Sequence, residues 1–235
     1  MNYIVLNKAR HLSTNSQYLY NLLGNRDKKK ARIITNFFST NLEEIASMQV
    51  EKSNFILSVS NGFGRRKNID TALKAFAIAR RSHPDIEYHL IGDGMEIGGP
   101  AHVHAIENNI ADGVHFIGSI SYFKVIEKMK KALIFLHPSR EESFGMTVLE
   151  AMVIGTPIVG GKKSGNIPYL LDHGNAGMLC DINSPKDIAK GVLKLLENPD
   201  LSKRVSKKAE KFAKANFSED IIAEAYLAYY RDIIN

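Results

Sequence analysis

Short apolar runs alternate with segments of helical period along most of this chain. FILSVS (55–60), EYHLIG (87–92), GVHFIG (113–118), ALIFLHP (132–138), TPIVGG (156–161) and GMLC (177–180) are brief and nearly continuous in apolar character. Such runs suit strands covered on both faces, as in a parallel sheet. Between them, helical spacing of apolar positions predicts helices near 68–82, 100–109, 121–131, 145–155 and 165–173. Three more, near 185–197, 200–215 and 218–234, close the chain. Ser184 as N-cap with Pro185 and Asp187 behind it marks one helix start, and Ser218 followed by Glu219 and Asp220 marks another. The alternation predicts an α/β fold built on a doubly wound parallel sheet. The first fifty or so residues fit less well: YIVLN reads as a strand, NSQYLYNLL as a short helix, and a lysine-rich loop leads into IITNFFSTNLEEI. They are expected to be a linker or the tail of another domain.

Composition narrows the class. The 235 residues are 44% apolar with mixed charge, enough for a full core and unlike a disordered or fibrous chain. No apolar run approaches the ~18 residues of a membrane span, and the N-terminus lacks a signal-peptide pattern. The single cysteine, Cys180, forms no internal disulfide and is expected as a core thiol, which fits a reducing cytoplasm. A net charge of +6 favours anionic partners. On the helix near 200–215, Lys203, Lys207, Lys211 and Lys214 share one face, opposite Leu201, Val205 and Phe212. A solvated amphipathic face is the plain reading and contact with an anionic membrane the second. Nucleic acid is not expected, because no recognised module accompanies the charge.

In an open parallel sheet, ligands bind beyond the carboxyl ends of the strands. The loops there are SNGFGRRKN, GDGMEIGG, GSISY, PSREESFG and GGKKSGN, several rich in glycine and two with paired cations. That suits a phosphorylated ligand, although glycines serve turns without one. A dinucleotide fingerprint is absent, since Ile97 stands where a glycine is needed, and no Walker A loop occurs. SREESFGMTVLEA carries more. A helix starting near Gly145 would offer the amides of Gly145, Met146 and Thr147 to an anion. Glu150, about a turn in, would lean back toward that end and accept from a ribose diol. Glu142, in the preceding loop, would meet the group at the far end of a diphosphate. The alternative is a loop charge at 142 and an ordinary surface helix residue at 150.

At this point the chain resembles a family. ESFGMTVLEAMVIGTPIV is similar to the E-x7-E region of retaining GT-B glycosyltransferases, especially family 4, the group 1 type. IITNFFSTNLEEI, VSNGFGRRKNIDTALKAF, HLIGDG, VHFIG, ALIFLHPS and SGNIPYLLDHGNAGMLCDINSPKDIAKGVLKLL resemble successive parts of the same C-terminal domain, in order. The resemblance implies a Rossmann-like domain over 36–216, a tail of the N-terminal domain or linker over 1–35, and a C-terminal helix over 217–235. It implies that Glu150 binds the donor ribose and Glu142 contacts the donor sugar. Lys67, with Arg66, would neutralise the departing diphosphate, which the Gly145, Met146 and Thr147 amides hold. Asn61 and Gly62 would belong to the nucleotide-sugar-binding residues, and backbone near Gly118 and Ser119 would receive the base.

There are departures. Asn61 stands where many members have arginine, which would leave the cationic clamp to Arg65, Arg66 and Lys67. Tyr169 stands where many have glutamate, and the resemblance implies that these residues hold almost none of the acceptor-binding domain. The implied reaction transfers a sugar from a nucleotide diphosphate sugar to an acceptor hydroxyl with retention, as in surface glycan or polysaccharide biosynthesis. The acceptor would be a glycan or lipid-linked glycan. Charge growing on the diphosphate would be stabilised by Lys67 and helix amides, with the phosphate as proton acceptor, so no metal or other cofactor is expected. The eight histidines read as scattered, with His137 as a hydrogen-bonded structural residue. The expected location is cytoplasmic, peripheral at the inner membrane face. The competing reading is a non-catalytic nucleotide-sugar-binding subunit that needs a partner supplying the acceptor domain.

Overall fold

A computed structural model describes residues 8–234. The strand expected over YIVLN lies outside the described residues. The six main strands are β3 (Ser53–Val59), β4 (Glu87–Ile91), β5 (Val114–Gly118), β6 (Ala132–His137), β7 (Ile158–Gly161) and β8 (Met178–Cys180). They form one parallel sheet in the order β5-β4-β3-β6-β7-β8. The chain builds outward from β3 to β5, crosses over, and builds outward again from β6. That is the doubly wound order, and the reversal between β3 and β6 opens a crevice at their carboxyl ends.

Period-two alternation splits the core into two layers. Phe55, Leu57 and Phe135 face a layer that includes α3 (Asn41–Ser47), α6 (Tyr122–Lys131), α7 (Met146–Ile154) and α10 (Pro199–Phe217). Ile56, Ile134 and Leu136 face the other, with α4 (Ile69–Arg80), α5 (Pro100–Glu107) and α9 (Pro185–Leu196). Side chains buried this way each contribute about 1.5–3 kcal/mol, so the strand ends are a firm platform. Every residue of α7 from Val148 to Ile154 is buried. Helix α9 starts as its capping sequence predicts, with Ser184 Oγ accepting from Asp187 N at 3.2 Å. The helix expected over 165–173 is shorter: α8 (Ile167–Leu170) ends in a 3-10 turn where His173 and Gly174 take positive φ.

The amino-terminal stretch is folded. β1 (Leu12–Thr14), α1 (Gln17–Asn21), α2 (Asn25–Lys28) and β2 (Ala31–Ile33) form a parallel strand–helix–helix–strand unit, with Leu12 opposite Ala31 and Thr14 opposite Ile33. Ser16 caps α1 by accepting from Leu19 N at 3.2 Å. The last helix, α11 (Glu219–Ile234), returns to this unit, and Tyr229 Oη donates to the Leu12 carbonyl at 2.9 Å. Phe217 falls at the end of α10 rather than in α11. No helix among the described residues is long and apolar enough to cross a membrane.

Candidate active site

The loops leaving β3 and β6 meet at the crevice. Asn68, ahead of α4, is fully buried in a left-handed conformation that asparagine tolerates. Its Nδ2 donates to the carbonyls of Pro138 (2.9 Å) and Ile182 (2.7 Å), and its Oδ1 accepts from Thr71 Oγ1 (2.6 Å). One side chain thus ties the loops after β3, β6 and β8. Arg140 adds a second tie, its backbone N donating to Arg66 O at 2.8 Å and its Nε to Asn183 Oδ1 at 2.8 Å.

Gly145 is the N-cap of α7 with φ 103°. A Cβ there would come within 2.8 Å of Ile167 Cδ1, so both conformation and space require glycine. The first turn closes from Val148 N to Gly145 O (3.1 Å), leaving the amides of Gly145, Met146 and Thr147 ahead of the helical ladder. Gly165, at φ 59°, lies so close to Glu142 that a Cβ would strike its carbonyl oxygen. Asn166 N donates to that carbonyl at 2.9 Å, which fixes the loop carrying Glu142.

Lys67 Nζ lies 2.9 Å from Glu142 Oε1, with the two side chains 20% and 16% exposed. His137 Nε2 is 3.5 Å from the same oxygen, too far for a well-formed hydrogen bond, and its side chain is 4% exposed. His137 therefore lines the site rather than resting in a structural hydrogen bond. Burial alone would raise the Glu142 pKa, but the His137 ring and the Lys67 ammonium outweigh it and hold the pKa at about 2. Lys67 is the tighter contact. Glu142 is ionised at neutral pH and has no proton to donate.

A cavity of about 270 Å³ lies over this pair. It brings together Asn61, Lys67, His137, Glu142 and the α7 start at Gly145, Met146 and Thr147. Two residues not anticipated, Asn15 and Asn36, close it from the amino-terminal side. Asn15 Oδ1 is buried with no hydrogen-bond partner. The amino-terminal unit is held over the site by Tyr18 Oη donating to Glu141 Oε1 (3.3 Å) and Asn21 Nδ2 donating to Tyr169 Oη (3.1 Å). Tyr169 thus has a packing role of its own.

Other anticipated residues lie beside this cavity rather than in it. Glu150 is 8% exposed, so it is not a surface helix residue. Its Oε1 accepts from Tyr122 Oη at 3.2 Å, at the start of the helix that follows the Gly118–Ser119 loop. Burial pushes its pKa up to about 7 against the opposing hydrogen bond from Tyr122. Gly118 is buried with its N donating to Met95 O at 3.1 Å, while Ser119 is exposed. Gly62 N donates to Asp93 O at 2.8 Å, and the Arg66 side chain is exposed. Cys180 is buried, and burial raises its thiol pKa to about 12. On α10, Lys203, Lys207 and Lys211 are exposed, and Lys214 pairs with Glu210 at 2.8 Å. The histidines are not all scattered: strand pairing brings His89 and His115 together with Glu87.

Asn68, Arg140, Asn15 and Tyr122 escaped the sequence reading because each acts through distant partners. Asn68 left one trace, an asparagine directly before a helix.

The family model for glycosyl transferases group 1 matches residues 41–212. The chain belongs to the group 1 glycosyl transferases. A similar curated relative is N-acetyl-alpha-D-glucosaminyl L-malate synthase of Bacillus anthracis, 28% identical over 185 residues, covering 78% of this chain and 47% of the relative. Another is D-inositol 3-phosphate glycosyltransferase of Corynebacterium jeikeium, 30% identical over 175 residues, covering 72% and 41%. The chain spans about half the length of the curated relatives it matches. HepE of Anabaena, solved with UDP and glucose, superposes with TM-score 0.82 at 19% identity over 97% of this chain and 65% of that one. Sucrose-phosphate synthase from Thermosynechococcus elongatus superposes with TM-score 0.81 at 22% identity, covering 98% and 60%. At these identities the two structures bear on the fold, which is the GT-B kind of α/β sheet.

Proposed function

We propose that this glycosyltransferase chain holds the donor half-site for a nucleotide diphosphate sugar and serves transfer of the sugar, with retention, to an acceptor hydroxyl. The carrying observation is the convergence of Lys67, Glu142 and the free start of α7 in one cavity at the sheet's switch point. The amides of Gly145, Met146 and Thr147 take the diphosphate, beside Asn61 and the turn at Gly62. Lys67 leaves Glu142 for the phosphates and offsets the charge growing there as the glycosidic bond breaks. The ionised Glu142 then faces the sugar, where it stabilises an oxocarbenium-like centre and cannot serve as an acid. The departing phosphate takes the acceptor proton. Glu150 accepts from the ribose hydroxyls, and the Gly118–Ser119 loop receives the base. Asn15, with an unused acceptor, meets a sugar hydroxyl. No metal enters this scheme.

The acceptor is a glycan or lipid-linked glycan in surface glycan synthesis, met at the inner membrane face through the lysines of α10. Because the chain spans about half of its relatives' length, a second reading has it as a nucleotide-sugar-binding subunit whose partner supplies the acceptor side. Calorimetry of the 235-residue chain with UDP, GDP and ADP, followed by turnover with the matching nucleotide sugar, tests both. Binding of one diphosphate without transfer is expected, since acceptor positioning can account for about 7–11 kcal/mol of barrier reduction. Activity restored by mixing with a partner supports the subunit reading. Robust transfer by the chain alone defeats the half-site reading, and a folded sample that binds none of the three defeats the donor assignment.

A further inference from the structure

A larger cavity, about 610 Å³, lies far from the Lys67–Glu142 pair, against the face of β3 and β4 beneath α6. Glu87, His89, Phe55, Lys124, Glu127 and Lys128 are among its lining. Glu87 opens β4 at its amino end, whereas the candidate active site sits at the carboxyl ends. Glu87 and His89, two residues apart on β4, share a face. The β4–β5 register sets His89 directly opposite His115, so all three side chains meet on that face. One carboxylate bridges two imidazoles: Glu87 Oε2 lies 2.8 Å from His89 Nε2, and Glu87 Oε1 lies 3.4 Å from His115 Nε2. All three potential ligand atoms fall within 4.8 Å of one another.

We propose that Glu87, His89 and His115 form a binding site for a divalent transition metal such as zinc. Two imidazoles and a carboxylate are a donor set such ions favour, and bonds of about 2.0–2.2 Å fit between the groups after a modest closure. His89 is already oriented to act as a ligand, with its side chain 12% exposed and its ring stacked on Phe55 at 4.1 Å and 8°. Its Nδ1 has no hydrogen-bond partner, so stacking supplies the orientation that a hydrogen bond often gives a metal-bound imidazole. His115, 51% exposed on the edge strand β5, supplies the movement needed to close the site. The ion takes the place of the Nε2 protons that the rings share with Glu87, each neutral ring then carrying its proton on Nδ1. It clamps the edge strand to its neighbour and leaves a coordination position open to the cavity. Lys124 and Lys128 line the same cavity, so a negatively charged fourth ligand, such as chloride or a carboxylate, completes the site best.

The test uses the full chain and three probes: zinc titration by calorimetry, thermal melting with and without zinc, and cobalt(II) absorption for a low-symmetry nitrogen–oxygen site. The parent should bind one zinc per chain and melt higher with it. His115→Ala and, independently, Glu87→Gln should each lower zinc affinity by at least about tenfold and abolish the rise in melting temperature, the loss seen when metal-site partners are removed. His83→Ala, a histidine outside the cluster, should bind as the parent does. Far-UV dichroism without metal checks that each variant is folded, and His89→Gln, which keeps most of the ring's bulk, gives a third reading. A parent that binds no zinc overturns the proposal. So does equal affinity in the parent, His115→Ala and Glu87→Gln, which would place the ion elsewhere.

Discussion

Replacing Glu150 by glutamine removes a buried charge without changing shape, and the outcome depends on pH in a defined way. The folded chain holds this carboxyl at a pKa of about 7, against an ordinary value of 4.5. Below pH 4.5 the group is protonated in both folded and unfolded states and costs nothing. As pH rises from 4.5 to 7 the unfolded chain releases its proton first, so the parent loses stability across that window and levels off above it. At about 1.4 kcal/mol per pH unit, the full loss is about 3 kcal/mol. Glutamine keeps an acceptor for Tyr122 and carries no such penalty. Urea denaturation should therefore show Glu150→Gln level with the parent near pH 4.5 and up to about 3 kcal/mol more stable at pH 8. Nucleotide binding should move the other way. A ribose diol donates to the ionised carboxylate, so binding expels a proton, and the parent's affinity advantage over the variant should grow by up to about tenfold per pH unit between 5 and 7. The ligand's own phosphate titrates equally in both proteins and cancels in the ratio. At pH 8 the variant should bind a nucleotide diphosphate about 1.5–3 kcal/mol more weakly. A stability difference that is flat with pH would refute the buried-charge account. An affinity ratio that is flat with pH would remove Glu150 from the ribose.

Glu142→Gln should show the opposite pH dependence, because its pKa is depressed from 4.5 to about 2: the variant should lose up to about 3 kcal/mol at pH 7, with the gap closing as pH falls through that window in urea titrations. Lys67→Ala should weaken diphosphates more than the bare nucleoside, with the difference shrinking as salt rises; equal weakening of both would take Lys67 out of the phosphate site. Asn68→Ala should cost roughly 2–4 kcal/mol in chemical denaturation, since two buried carbonyls lose their donor and alanine must adopt positive φ. Asn15→Ala should weaken a nucleotide diphosphate sugar by about 0.5–1.5 kcal/mol and the sugar-free diphosphate hardly at all; equal effects would place Asn15 away from the sugar.

Much of this protein was determined by local sequence. The six strands and most helices of the sheet domain were legible because apolar runs and helical spacing report burial on one face or two, and that burial is what the fold requires of each segment. The doubly wound class followed from the β-α order, and the place of the helix start from Gly145 and the residues after it. Tertiary structure decided what those residues do to one another. The same residue type at 142 and 150 emerges with a pKa of about 2 at one position and about 7 at the other. The first carboxylate meets Lys67, seventy-five residues away, and the second is enclosed by helices with one tyrosine for company. Asn15 reaches the cavity, Asn68 ties three loops, and His89 meets His115 only because parallel strands align in one register. Hydrophobic period is a property of neighbours along the chain. Electrostatic environment and cavity lining arise between segments far apart in sequence, so only the packed chain sets them.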